Sequence, residues 1–112
     1  MFQEITSEHW TDQNGNPAGG VTFGTGFCIS WQNGPLGSLQ DRARKKPNGA
    51  FVEGIIQAAM DRLNFYQQGS EGKFACIENA LAIEHLQIAL CELQARTNRR
   101  IQAGTEGTHE GV

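Results

Sequence analysis

Residues 78–104 read "ENALAIEHLQIALCELQARTNRRIQAG", and the spacing of their apolar side chains decides how the rest of the chain is read. Taken at intervals of three and four, the stretch gives Asn79, Ile83, Leu86, Leu90, Leu93, Thr97 and Arg100. That period is one face of an α-helix. It predicts a long helix from about Lys73 to Ala103, ended by Gly104, which can adopt the left-handed conformation common after a helix. The middle of the face is an apolar seam, and both of its ends are polar.

Upstream, residues 48–69 read "NGAFVEGIIQAAMDRLNFYQQG". Here Val52, Ile55, Ile56, Ala59, Leu63 and Tyr66 form the apolar face of a shorter helix. Asn48 is the expected N-cap, Glu53 is a favourable early carboxylate, and Gly69 suits a left-handed C-terminal position. "SEG" joins the two helices. Residues 36–47 form an exposed loop carrying a basic cluster, stopped by Pro47.

Further back lies "VTFGTGFCISWQNG", residues 21–34. Val21, Phe23, Phe27, Ile29 and Trp31 share one parity, which predicts a strand with one buried face. Gly24 and Gly26 fall on the other parity, where a missing side chain lets a neighbouring backbone or a ligand approach closely, close packing being the favoured reading. Residues 11–20, "TDQNGNPAGG", are turn-formers that make a hairpin or a flexible loop. The expected class is α+β, an N-terminal antiparallel β region followed by a C-terminal two-helix hairpin. We expect a single domain: 1–47 β region and basic loop, 48–104 helical hairpin, and 105–112 a tail that is loose unless docked.

A chain of 112 residues with 38% hydrophobic and 19% charged content is an ordinary globule rather than a disordered segment. At that size the buried fraction of surface is modest, and oligomerisation is a common remedy. The formal charge of −3 argues against a general nucleic-acid binder, which needs a strongly basic surface. Cys28, Cys76 and Cys91 are odd in number and contain no CxxC, so they signal neither a disulfide frame nor a zinc site. "MFQEITSEHW" lacks the basic-then-apolar pattern of a signal peptide, and a cytosolic protein is expected.

The net charge conceals a pattern. Seven of the nine basic residues fall in two clusters, Arg42, Arg44, Lys45 and Lys46 in one, and Arg96, Arg99 and Arg100 in the other. Such clusters are either local anion sites or solvated faces, and cations are also favourable at a helix C-terminus. Arg96 and Arg100 lie one turn apart on one face, where two planar guanidinium forks can converge on a diphosphate. Asn79 offers an amide for a base edge or sugar hydroxyls. Phe65, off the apolar face of its helix, is a candidate for stacking on adenine. Asn79 and Arg100 are roughly 30 Å apart along one straight helix. They meet only if two seams pack antiparallel about a two-fold axis, which gives two sites of mixed parentage.

Catalytic constellations are harder to find. His9, His85 and His109 have no ligand-type spacing, and His85 and Cys91 point to different faces of the helix. No catalytic residue, metal or cofactor is expected. The residues favour binding over chemistry.

"NGAFVEGIIQAAMDRLNFYQ", "ENALAI" and "RTNRR…GTEGTH" resemble the phage anti-Thoeris sponge proteins of the first-described type, over about Val21 to His109. Their C-terminal helical hairpin is shared with a phage anti-CBASS sponge. The resemblance implies a protein that sequesters cyclic ADP-ribose isomers, glycocyclic ADP-ribose among them, made by TIR-domain enzymes as an infection alarm, and that leaves them uncut. It implies a homodimer or larger homo-oligomer in the cytoplasm of an infected bacterium. Some members also hold cyclic di- or trinucleotides at a separate site. Carried over by motif, the pocket asparagine falls on Asn79, the pocket arginines on Arg96 and Arg100, and the stacking aromatic on Phe65. Arg42, or a neighbour in the basic loop, closes over the ligand from the other subunit. The rival readings are a small nucleotide-hydrolysing enzyme, a small DNA-binding regulator and a purely structural oligomer.

Overall fold

The computed structural model describes residues 1–111. In order along the chain it has β1 (Ile5–Thr11), β2 (Pro17–Gly24), β3 (Phe27–Asn33), α1 (Val52–Gln68), a short 3-10 turn (Ser70–Gly72) and α2 (Ile77–Ala103). This is the expected α+β class, a three-stranded antiparallel sheet of order β1-β2-β3 followed by two helices. The chain divides into two compact units, Met1–Phe51 with the residues from Arg100 onward, and Val52–Arg99.

In the sheet unit, the turn-former stretch connects β1 and β2. Asp12 Oδ1 accepts from the backbone N–H groups of Asn14 (2.8 Å) and Asn16 (3.0 Å), and Gly15 takes φ +78°. The Asn16 N–H, then that of Asn14, and the nearby His109 hold the Asp12 carboxyl below its ordinary range.

The expected single strand over 21–32 is instead a hairpin, broken by a two-residue turn at Thr25 and Gly26. Gly26 takes φ +87°, open to glycine at no steric cost. A two-residue turn pairs Gly24 with Phe27 and Thr22 with Ile29, so even positions of β2 share a face with odd positions of β3. Val21 and Phe23 therefore lie on the face opposite Phe27, Ile29 and Trp31, and the single apolar parity read from the sequence splits between two faces. The Phe27 ring covers Gly24, where a Cβ would stand 2.9 Å from it.

Thr22 lies at the centre of the better-covered face. It is buried at 7% exposure, and its hydroxyl accepts from Trp31 Nε1 (2.8 Å) and shares a hydrogen bond with Ser7 Oγ (2.9 Å). The outer edge of β3 is closed by residues 48–50. Gln32 N–H donates to Ala50 O (3.1 Å), Ala50 N–H donates to Ser30 O (2.7 Å), and the Asn48 amide both accepts from Asn33 N–H and donates to Asn33 O (2.9 Å each). Asn48 is thus not the cap of α1. A free strand edge offers unpaired backbone groups, and pairing them outweighs a local cap.

In the helical unit, α1 starts at Val52 and α2 at Ile77, four residues later than expected. Gly69 is extended (φ −76°), and the left-handed residues are Ser70, Glu71 and Gly72 just after it. Cys76 caps α2: its Sγ accepts the Asn79 N–H (3.4 Å), as a serine oxygen would at that place. The Gln67 side chain then bonds both the N–H (3.0 Å) and the carbonyl (3.1 Å) of Cys76, tying the end of α1 to the start of α2.

The α2 seam read from the sequence is its half-buried face, with Asn79, Ile83, Leu86, Leu90, Leu93, Thr97 and Arg100 all partly covered. On α1 the half-covered stripe is Glu53, Ile56, Met60, Leu63 and Gln67. Val52, Ile55 and Tyr66 of the expected apolar face are exposed, as are Ile77, Leu81 and Ile88 on the side of α2 away from its seam. No apolar side chain is buried among the described residues.

Candidate functional site

Within the helical unit, Phe65, Asn79 and Arg96 are each placed by local contacts. Phe65 is 58% exposed near the end of α1. The Arg62 guanidinium lies 4.9 Å from its ring centroid and 5.0 Å from that of Tyr66, and Arg62 Nε donates to Tyr66 Oη (3.2 Å). Positions three and four apart on one helix face bring this about. The sequence reading missed Arg62, although its spacing from Phe65 was a usable signal. Asn79, half-buried in the first turn of α2, directs Nδ2 at Phe74 O (3.4 Å).

Arg96 stands near the other end of α2, 3.8 Å from Glu53 Oε1 at the start of α1. Both partners keep substantial exposure, 45% and 35%, so this pair contributes little to stability. From Asn79 to Arg96 is about 25 Å along the helix at 1.5 Å per residue. The hairpin of one chain therefore holds the aromatic and the amide at one end and the arginine at the other. A cleft of about 300 Å³ in this unit is lined by Glu53, Gln57, Gln87, Leu90, Cys91 and Gln94, and includes none of these three residues.

The sheet unit holds the other two candidates. Arg42 is exposed in the basic loop. Arg100 is folded back onto the chain that follows α2: its Nη2 donates to the carbonyls of Thr105 (3.0 Å), Thr108 (2.7 Å) and Glu110 (3.1 Å). Its Nε is enclosed and has no acceptor among the described residues. These contacts satisfy carbonyls beyond a helix end with a cation placed where the helix dipole favours one.

The segment expected to be loose is docked by the same geometry. Gly104 turns the chain at φ +74°, and Thr108 Oγ1 donates to Thr105 O (2.6 Å). Gly37 N–H donates to Gly107 O (2.7 Å). Arg44 grips Glu106 with both nitrogens of its fork, Nη1 to Oε2 and Nη2 to Oε1 (2.9 Å). The Arg44 guanidinium holds the Glu106 carboxyl below the usual range, helped by the charge of Arg100, and Glu106 in turn raises the Arg44 pKa. One of the four cations of the basic loop is therefore paired internally. Val112, the end of the expected tail, lies outside the described residues.

Among the described residues no three His, Cys, Asp or Glu side chains gather as a metal site, and no helix is long and apolar enough to cross a membrane. No protein-family model matches the chain. The chain is similar to "Thoeris anti-defense 1" of Bacillus phage SBSphiJ7, with 44% identity over 82 residues, or 73% of this chain. It spans about half the length, 51%, of that curated relative. Over those 82 residues the chain is a relative of Thoeris anti-defense 1.

Proposed function

We propose that the protein counters Thoeris defence by binding glycocyclic ADP-ribose and holding it uncut, inside the infected bacterium. The observation that carries this reading is the 44% identity to a protein named for anti-defence against Thoeris. Arg96 and Arg100, one turn apart on α2, supply charge-assisted donors suited to two linked phosphates. Phe65, already stacked with Arg62, offers an exposed ring face to a base, and the Asn79 amide is suited to a base edge or ribose hydroxyls.

The site is completed by a second copy of the chain. Phe65 and Asn79 stand at one end of the hairpin and Arg96 at the other, so an antiparallel pairing of two α2 helices juxtaposes what one chain keeps apart. The uncovered Val52, Ile55 and Tyr66 of α1, and Ile77, Leu81 and Ile88 of α2, support such a homodimer or a larger homo-oligomer, because the described residues of this short chain bury no apolar side chain. Arg42 closes the site from the partner subunit. The same reading extends to cyclic di- or trinucleotides at a separate site.

A sponge must outcompete an effector, which calls for nanomolar affinity, or roughly 12 kcal/mol. Native mass spectrometry of the protein mixed with glycocyclic ADP-ribose gives the stoichiometry. Heat denaturation and recovery of the ligand then give the chemistry. One intact ligand per chain is the expected result; ADP-ribose in the supernatant identifies a hydrolase instead. Retention on duplex DNA that weakens steeply with salt identifies the DNA-binding alternative.

A further inference from the structure

The motif "GTEGTH", residues 104–109, has no part in the binding reading, yet nearly every one of its residues is engaged. Gly104 turns the chain out of α2, and Thr105 and Thr108 offer carbonyls to Arg100. Glu106 takes the Arg44 fork, and Gly107 gives its carbonyl to Gly37 N–H. Gly107 also sits at φ +78°, and a Cβ there would collide with the Gly37 carbonyl oxygen. The basic loop receives these contacts at two points, Gly37 and Arg44, seven positions apart. Arg44 Nη1 donates back to Gly37 O (3.2 Å), and Lys45 N–H donates to Leu36 O (2.7 Å), so the loop closes on itself at the place where the segment grips it.

From this we infer that residues 104–110 are a latch that fixes the basic loop, with Glu106 and Gly107 as positioning residues for Arg42 and with Arg100 as the anchor of the latch. The loop contains no helix or strand of its own, and Arg42 is two positions from Arg44. An exposed arginine on an unanchored loop loses conformational entropy when it closes on a ligand, and anchoring lowers that loss in advance. A bidentate arginine–carboxylate pair fixes direction as well as distance. Arg100 then has a second role beside its own part in binding. Its Nη2 holds the latch through three carbonyls, so the two ends of the basic pattern, Arg42 and Arg100, are set by one segment. The inference rests on the proposed ligand site for the role of Arg42, but the latch itself does not need the ligand.

Two measurements on Glu106→Gln, in the full chain, test it. The first is amide hydrogen exchange of Gly37 and Lys45 without ligand, where exchange about tenfold faster is expected once the ion pair is gone. Unchanged exchange overturns the proposal whatever the ligand does. The second is the Kd for glycocyclic ADP-ribose in a cycle with Arg42→Ala. Glu106→Gln is expected to weaken binding about tenfold in the parent, and by less than about twofold once Arg42 is gone, because the two act through one interaction. Losses that add fully show Glu106 acting elsewhere and overturn the proposal. Unaltered affinity on Arg42→Ala removes the loop from the ligand and overturns it too, while leaving the family reading intact. Failure of the parent to bind sinks the proposed function itself. Glu106→Asp, which keeps a carboxylate for the Arg44 fork, is expected to retain more of the slow exchange and of the affinity than Glu106→Gln, which a general loss of folding does not explain; equal losses in the two variants overturn the ion pair as the cause.

Discussion

Arg44 and Glu106, 62 positions apart, meet in a two-pronged ion pair that joins the basic loop to the segment following α2. Neither residue's local sequence calls for the other. The pairing changes the meaning of both neighbourhoods: a cluster of cations becomes a fixed loop, and an expected loose tail becomes its anchor.

The pair makes docking of that segment depend on pH. The Glu106 carboxyl is depressed below its ordinary value of 4.5 by Arg44. A carboxyl depressed in the folded state contributes stability that is fully present above its unfolded value and is lost as pH falls through the folded one. Docking is therefore expected to be complete at neutral pH and to weaken only below about pH 4.5. Carbon NMR of the Glu106 side chain against pH measures this, and Glu106→Gln should abolish the transition. An ordinary midpoint for Glu106 would contradict the prediction.

Arg96→Ala and Arg100→Ala are expected to differ in stability and agree in binding. Arg96 makes one long, exposed ion pair, so its removal should change stability by less than about 0.5 kcal/mol. Arg100 donates to three carbonyls, and its removal should cost about 1–3 kcal/mol, or several degrees in Tm. Both variants should lose the thermal shift given by glycocyclic ADP-ribose while keeping their oligomeric state. Differential scanning fluorimetry with and without ligand reads all of this. A retained ligand shift in both variants would remove the two arginines from the site.

Thr22→Val should be destabilising by about 1–3 kcal/mol, since the Trp31 Nε1–H and the Ser7 hydroxyl lose a shared partner. Thermal unfolding followed by tryptophan emission reports it. A neutral outcome would mean that water replaces the threonine hydroxyl on this face.

Ile88→Asp distinguishes a lone chain from an assembly. Ile88 is 51% exposed on the side of α2 away from the seam. In a monomer a charge there is tolerated within about 0.5 kcal/mol. In an oligomer whose interface includes this stripe, it should drive dissociation or unfolding, because an unpaired carboxylate cannot stay charged in an apolar contact. Light scattering coupled to size exclusion gives the answer, and a variant of unchanged mass and Tm would exclude the stripe from any interface.

The two helices and the α2 seam were legible from periodicity alone, because an amphipathic helix writes its buried face into spacings of three and four. The α+β class followed from the same patterning, together with the glycine-rich turns. What the residues along the chain could not specify was pairing at a distance. The turn at Thr25 and Gly26 inverted the parity of every residue beyond it, so an alternation that looked like one face became two. Asn48 suited a helix cap by local rule, but the open edge of β3 claimed its amide instead.

Among the candidate residues, composition picked out the arginines, and the family motif assigned them to a ligand. Which of the basic side chains were already held within the chain was decided by tertiary contacts. Arg44 is held by Glu106, and Arg100 by three carbonyls, because hydrogen bonding and ion pairing act through space while sequence patterns record only neighbours a few residues away. Residue type and helical period are local properties of this sequence. The meeting of Arg44 with Glu106 belongs to the fold.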